Sequence, residues 1–184
     1  MARCYSGSMV KRHTLPDIWL VSDARNDARL ESALKRLPRG SGLVFRHYHL
    51  DAKERRTRFA RLARIARAHG HLVALAGSAR EARRWRADAA YGAPQKLGSG
   101  PALLRLVTAH SLREIAQAQR ARADAILLSP AFSTRSHPSA ATLAPMRFRL
   151  LACHTTAPVI ALGGMNAARA RSLRWKNWAA IDGI

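Results

Sequence analysis

Short apolar runs alternate with longer amphipathic stretches along almost the whole chain. The runs are 17–22 (DIWLVS), 43–48 (LVFRHY), 72–75 (LVAL), a weaker 89–91, 103–108 (LLRLVT), 125–129 (AILLS), 158–162 (PVIAL) and 178–181 (WAAI). Several are continuously apolar between Gly, Pro or polar residues, the pattern of strands covered on both faces. The Ala-, Arg- and Leu-rich segments between them predict helices near 27–37, 51–69, 78–87, 111–122, 144–154 and 166–176. Asp51 and Ser111 stand as N-caps, and Glu54 and Glu114 three residues on complete capping-box patterns. In the second helix Phe59, Leu62, Ala63 and Ala66 form one apolar stripe, with Arg56, Arg64 and Arg67 outside it. Strand–helix alternation without a hairpin signal predicts a parallel α/β sheet. Eight such repeats predict a compact (β/α)8 TIM barrel, one domain over 17–184, preceded by a basic leader at 1–16. Only residues 92–102 separate the fourth and fifth strands, and no eighth helix follows the last one. The expected barrel therefore lacks its final helix, and its closure is left open.

Composition narrows the picture. The chain has 184 residues and is 48% apolar, which excludes a disordered polypeptide. No apolar run approaches the roughly 18 residues of a membrane-spanning helix. Cys4 and Cys153 stand far apart without metal-ligand spacing, a usage that suits a reducing cytoplasm better than a disulfide scaffold. The formal charge is +21, which raises a nucleic-acid reading. Yet 27 of the 32 cations are Arg, Ala reaches 36, and the arginines spread along the whole chain. Joint Arg and Ala excess follows from GC-rich codon usage, so non-specific polyanion binding at low salt is expected more than a dedicated nucleic-acid function.

In a barrel of this kind the chemistry sits at the C-terminal ends of the strands. Gly163-Gly164 directly follows PVIAL and precedes a helical segment, so backbone N–H groups there can approach an anion. A tight strand-to-helix turn explains the pair equally well. The loop Ser129-Pro130-Ala131-Phe132-Ser133-Thr134-Arg135-Ser136-His137-Pro138 follows the sixth strand with four hydroxyls, an Arg and a His, a composition suited to phosphate oxygens. Adjacent strand ends of this kind support each other, because barrels commonly hold a phosphate near strands seven and eight. His47 and His49 alternate with Arg46 and Tyr48, so an inward Arg46 turns both histidines outward as packing or surface residues. Trp175 and Trp178 are expected to pack where a final helix would lie. Asp182 stands at the end of strand eight, placed to orient a ligand or cap the chain end.

SPAFSTRSHP followed by PVIALGGMN resembles the thiamine phosphate synthase and TenI family, whose members carry Gly-Pro-x-Phe-x-Thr-x-Thr-Lys after strand six and Ala-Ile-Gly-Gly after strand seven. TAHSLREIAQAQRARADAILLSPAF is similar to the family's Ser-Val-His segment, Glu-containing helix and Ala-Asp strand start. The resemblance is strongest over 103–184. It implies a protein of thiamine biosynthesis whose barrel binds a thiazole phosphate beside a pyrimidine diphosphate, with Mg²⁺ on the diphosphate. By it, Thr134, Ser136, Gly163 and Gly164 would hold the thiazole phosphate. Arg46, Thr108 and His137 would belong to the diphosphate site, with His137 in place of the family's lysine. The family's metal-holding Asn-Asp pair after strand three stands here as Ala76-Gly77. Gln95-Lys96 stand near its Asp after strand four, so the carboxylates expected for Mg²⁺ are missing. His110 matches the histidine that TenI-like members use to tautomerise thiazole phosphate, a proton transfer that an imidazole can perform without a metal. Three functions follow as expectations: a synthase-like transferase, a thiazole tautomerase, and a non-catalytic phosphate-ligand or polyanion-binding module. Apolar surface left by an absent last helix would suit a homodimer.

Overall fold

The computed structural model describes residues 15–97, 103–134, 142–182 and 184. Eight parallel strands, β1 (Ile18–Val21), β2 (Gly42–Phe45), β3 (Leu72–Ala76), β4 (Ala89–Gly92), β5 (Leu104–Ala109), β6 (Ala125–Leu128), β7 (Val159–Ala161) and β8 (Trp178–Ala180), follow one another around a closed barrel. Among the described residues seven α-helices accompany them: α1 (Leu30–Arg36), α2 (Ala52–Ala68), α3 (Ala79–Arg84), α4 (Pro94–Leu97), α5 (Leu112–Arg120), α6 (Ala144–Ala152) and α7 (Ala167–Leu173). The expected leader falls almost wholly outside the described residues. Among the described residues no helix is long and apolar enough to cross a membrane.

Alternation along each short strand sorts side chains to two sides. Trp19, Val21, Val44, Ala74, Ala76, Ala89, Tyr91, Leu106, Ala125, Leu127, Ile160 and Ala179 form the barrel interior. The Trp19 ring lies against Gly42 of β2, where a Cβ would collide with it, and its Nε1 donates to the Pro16 carbonyl at 2.9 Å. The other parity, including Leu20, Leu43, Phe45, Val73, Leu75, Val107 and Leu128, packs outward against the helices. On α2 the stripe Phe59, Leu62, Ala63 and Ala66 is buried as expected. Asp51 caps it by accepting from the Lys53 and Glu54 amides, both at 2.8 Å.

Closure, left open by the sequence, is complete. β8 pairs with β1 in register Ile18–Trp178, Trp19–Ala179 and Leu20–Ala180. Just above this seam Asn26 Nδ2 donates to the carbonyls of Val21 (3.0 Å) and Ile181 (2.7 Å), stitching the two strand ends together. Asn26 belongs to a 3-10 helix, Ala24–Arg29, that starts ahead of the helix expected over 27–37 and takes up its residues 27–29. Asp23 and Asn26 cap this turn reciprocally, side chain to backbone, which favours the tighter geometry there. The linker after β4 also holds a helix that periodicity did not mark, the single-turn α4.

β2 ends at Phe45, short of the expected Tyr48. His47 has φ +39°, a left-handed conformation that turns the chain off the barrel. Trp175 also departs from expectation. It packs edge-on to Phe148 of α6 and donates to the Val159 carbonyl at 2.8 Å, because the α7–β8 connection runs alongside α6. Trp178 is buried in the outer core beside it.

Candidate functional site

The upper layer of the barrel interior continues each inward parity. Arg46 follows Val44, Thr108 follows Leu106, Ser129 follows Leu127, Leu162 follows Ile160 and Ile181 follows Ala179. Together with Tyr91, His110, Pro130, Thr134 and Gly163 they line a cavity of about 330 Å³ at the C-terminal mouth. A second cavity of about 320 Å³ opens beside it, lined by Arg46, Tyr48, Gly77, Tyr91, Gly92, Ala93, Lys96 and Thr108. Arg46, Tyr91 and Thr108 are common to both and form the wall between them.

His110 stands directly after β5 and is held from two sides. Its backbone amide donates to Glu114 Oε2 at 2.6 Å. Ser111 caps α5 as expected, accepting from the Glu114 amide at 3.3 Å, but the Glu114 carboxylate reaches back one residue further than a capping box requires. The ring Nδ1 lies 2.9 Å from the Ser129 carbonyl and 3.2 Å from Ser129 Oγ. A carbonyl can only accept, so Nδ1 carries the proton, and in the neutral ring Nε2 keeps its lone pair. His110 is thus an exposed imidazole at the cavity with one nitrogen pinned and the other available as a base.

The β6 and β7 loops are packed onto one another. Ala131 donates to Leu162 O at 2.8 Å and Phe132 to Gly163 O at 3.1 Å. Gly163 has φ +93°, and a Cβ there would lie 2.7 Å from the Pro130 Cα. Both its conformation and its neighbour therefore require glycine. Gly164 is turned differently: it backs onto Ser133 and Phe132 and accepts from Arg169 Nη1, and it does not line the cavity. The amides of Gly163 and Gly164 donate to no described residue. Among the residues singled out from the sequence, Arg46, Thr108, His110, Thr134 and Gly163 share one cavity, and Gly164 sits behind it. Ser136 and His137 lie outside the described residues.

Arg46 is pinned by Asp23, with Nη2 3.3 Å from Oδ2, and its guanidinium lies 5.9 Å from the Tyr48 ring centre. Burial works to raise the Asp23 pKa, but hydrogen bonds from Arg25 and the charges of Arg25 and Arg46 outweigh it and hold the carboxyl below its usual range. Behind Arg46, Ser22 Oγ accepts from the Arg46 amide at 2.8 Å and lies 2.7 Å from His47 Nδ1. His47 Nε2 in turn lies 2.7 Å from Asp27. His47 is buried and stacked on Phe45, and His49 is exposed. Burial pushes the His47 pKa down against the pull of Asp27, so the neutral ring bridges a serine donor and a carboxylate acceptor. Asp182 points away from the mouth towards Arg29, at 3.9 Å.

The sequence places Tyr91 at a strand end, where barrel chemistry sits, but assigns it no role; it shares inward parity with Ala89 and is the largest side chain lining both cavities. That parity was the available signal. Lys96 was noted only as standing where a carboxylate was expected; it lines the second cavity, and no described residue pairs with it.

The donor set does not suit a divalent metal. No Asp or Glu lines either cavity. The nearby carboxylates are engaged, Asp23 by Arg25 and Arg46, Glu114 by the His110 amide and Glu81 by Arg55. Among the described residues no group of three or more His, Cys, Asp or Glu side chains could hold a metal ion. A hard cation such as Mg²⁺ takes oxygen ligands, usually with one or two carboxylates among them.

Fold and site together define a (β/α)8 barrel with a hydroxyl- and imidazole-lined mouth suited to small anionic ligands. The thiamine monophosphate synthase family model, TMP-TENI, matches residues 18–184, and the chain belongs to that family. Over 81 residues the chain is 38% identical to the thiamine-phosphate synthase of Chloroflexus aurantiacus, an alignment covering 42% of this chain and 35% of that protein. The match thus spans about a third of the relative's length. A thiamine phosphate pyrophosphorylase from Pyrococcus furiosus has the same fold, with a TM-score of 0.74 at 21% identity over 89% of this chain and 84% of that one. A second, from Bacteroides thetaiotaomicron, has a TM-score of 0.57 at 12% identity over 91% and 82% of the two chains.

Proposed function

We propose that the chain binds a thiazole phosphate in the His110 cavity and works in thiamine biosynthesis as a synthase-type transferase, joining it to a pyrimidine carried as its diphosphate. The observation that carries this reading is the assembly of Arg46, Thr108, His110, Thr134 and Gly163 around one cavity of about 330 Å³. The Gly163 amide and the Thr134 side chain supply a phosphate end, and the apolar wall of Leu162 and Ile181 supplies a surface for the thiazole ring. Transfer breaks the bond between the pyrimidine methylene carbon and a diphosphate oxygen and forms a carbon–nitrogen bond to the thiazole. Negative charge then builds on the departing diphosphate, and Arg46 stands on the wall shared by the two cavities to receive it. Enclosing both partners in adjoining spaces converts a bimolecular encounter into a local one.

A second reading is favoured by the His110 geometry. With Nδ1 donating to Ser129 O, Nε2 is a base of suitable type to move a proton between carbon and nitrogen of a thiazole phosphate. This tautomerisation needs neither diphosphate nor metal.

Calorimetric titration of thiazole phosphate into the purified chain and into Thr134→Val tests the shared part of both readings. Saturable binding weakened about tenfold in the variant is expected, the scale of one lost hydrogen bond to a charged group. Equal binding by both proteins would place the ligand elsewhere.

A further inference from the structure

The second cavity is unusual for a site facing a leaving diphosphate, since its polar side chains are cationic or hydroxylic and none is acidic. Arg46 contributes a guanidinium already held in place by Asp23. Its Nε is buried and has no hydrogen-bond partner among the described residues, a donor that a ligand oxygen would satisfy. Lys96, on the helix α4, lines the same space, and no described carboxylate pairs with it. Tyr91 is almost wholly buried on the wall between the cavities, and its hydroxyl has no partner among the described residues. Thr108 adds a second hydroxyl. Beside Gly77 stands the Glu81 carboxylate, whose Oε2 would lie 2.5 Å from a Cβ there, but it is paired with Arg55 and does not line the cavity, and Ala76-Gly77 offers no oxygen side chain where a metal would need one.

We infer that this second cavity binds a diphosphate group directly, on Arg46 and Lys96 with Tyr91 as a neutral hydrogen-bond donor, and without a bridging divalent cation. The inference rests on the proposed reading only for the identity of the anion. A dianionic group in a cavity lined by two cations gains attraction from both, and the low-dielectric wall strengthens it. A divalent ion entering the same space would meet two positive charges and no lining carboxylate. Burial pushes the Tyr91 pKa up to about 12, so its hydroxyl stays protonated and able to donate at neutral pH. Side-chain cations thus do the work that a metal ion does where carboxylates are present to hold one.

The test is calorimetric titration of inorganic pyrophosphate into the full chain, once with excess EDTA and once with excess Mg²⁺. Saturable binding is expected in EDTA, no tighter in Mg²⁺, where the ion competes for the anion. Lys96→Ala and Tyr91→Phe are each expected to weaken it by about tenfold. Because the whole chain carries +21, Lys35→Ala, on the outer face of α1 and away from both cavities, serves as the control and should bind as the parent does. Binding that appears only with Mg²⁺ overturns the inference, as does an absence of binding in both solutions. Equal weakening in Lys35→Ala and Lys96→Ala also overturns it, by showing attraction to net charge alone. Thiazole phosphate titrated in parallel separates the two claims: if it binds while pyrophosphate does not, this inference fails and the proposed function stands.

Discussion

His110 Nδ1 lies 2.9 Å from the carbonyl oxygen of Ser129, a contact that ties the end of β5 to the end of β6 and fixes which ring nitrogen carries the proton. The first prediction concerns that nitrogen pair. His110 is exposed, so His110→Ala and His110→Asn should fold with a thermal midpoint close to the parent's. Loss of a positioned proton-transfer group should lower the tautomerisation rate by about 10²- to 10⁴-fold in both variants. If either variant retains the parent's rate, His110 is not the proton carrier.

Gly163→Ala places a Cβ against the Pro130 backbone in a residue held at φ +93°. Strain of this kind costs on the order of 1–3 kcal/mol. A matching loss of unfolding free energy in urea is expected, together with weaker thiazole phosphate binding, because the β6 and β7 loops share this contact. An unchanged urea midpoint would mean the turn relaxes at no cost.

Asn26→Ala tests barrel closure. The side chain satisfies the Val21 and Ile181 carbonyls and accepts from the Asp23 amide at 2.9 Å. Its removal leaves buried polar groups unpaired at about 1–3 kcal/mol. Hydrogen exchange should quicken first along β1 and β8. Uniform exchange around the barrel would show that strand pairing alone holds the seam.

Stability should fall as the pH drops below about 6.5. Burial holds the folded pKa of His47 below its ordinary value, and burial acts on His71 in the same direction. The unfolded chain therefore takes up these protons at higher pH than the folded one. Their contribution is complete above the unfolded value and is lost as the pH falls towards the folded values. At lower pH the depressed carboxyls of Asp23, Asp27 and Glu31 add a second decline as they protonate. Urea midpoints at pH 8, 6 and 5 check this, with a smaller drop between pH 8 and 5 expected in His47→Gln. A parent midpoint that does not move over that range contradicts it.

The barrel was legible because strands covered on both faces leave continuous apolar runs, and because the α2 stripe repeats with helical period. Closure was not, since it depends on a register between β1 and β8 and on Asn26 reaching Ile181, 155 positions away. Nor was the early end of β2: LVFRHY reads as strand to Tyr48, and the left-handed turn at His47 arises from contacts with Ser22 and Asp27 that local pattern does not encode. For the site, Arg46, Thr108, His110, Thr134 and Gly163 were chosen through the family resemblance, and parity alone would have added Tyr91. Lys96 is visible in the sequence only as a residue near an expected carboxylate, because its place in the second cavity depends on the fold.

The most direct test of the proposed function is product formation from thiazole phosphate and hydroxymethylpyrimidine diphosphate by the purified chain, with Mg²⁺ and with chelator. Thiamine phosphate appearing in chelator at a rate on the order of ~1 s⁻¹, the lower end for enzymes, is the predicted result. No thiamine phosphate under either condition, from protein that still binds thiazole phosphate, would contradict the transferase and leave the tautomerase.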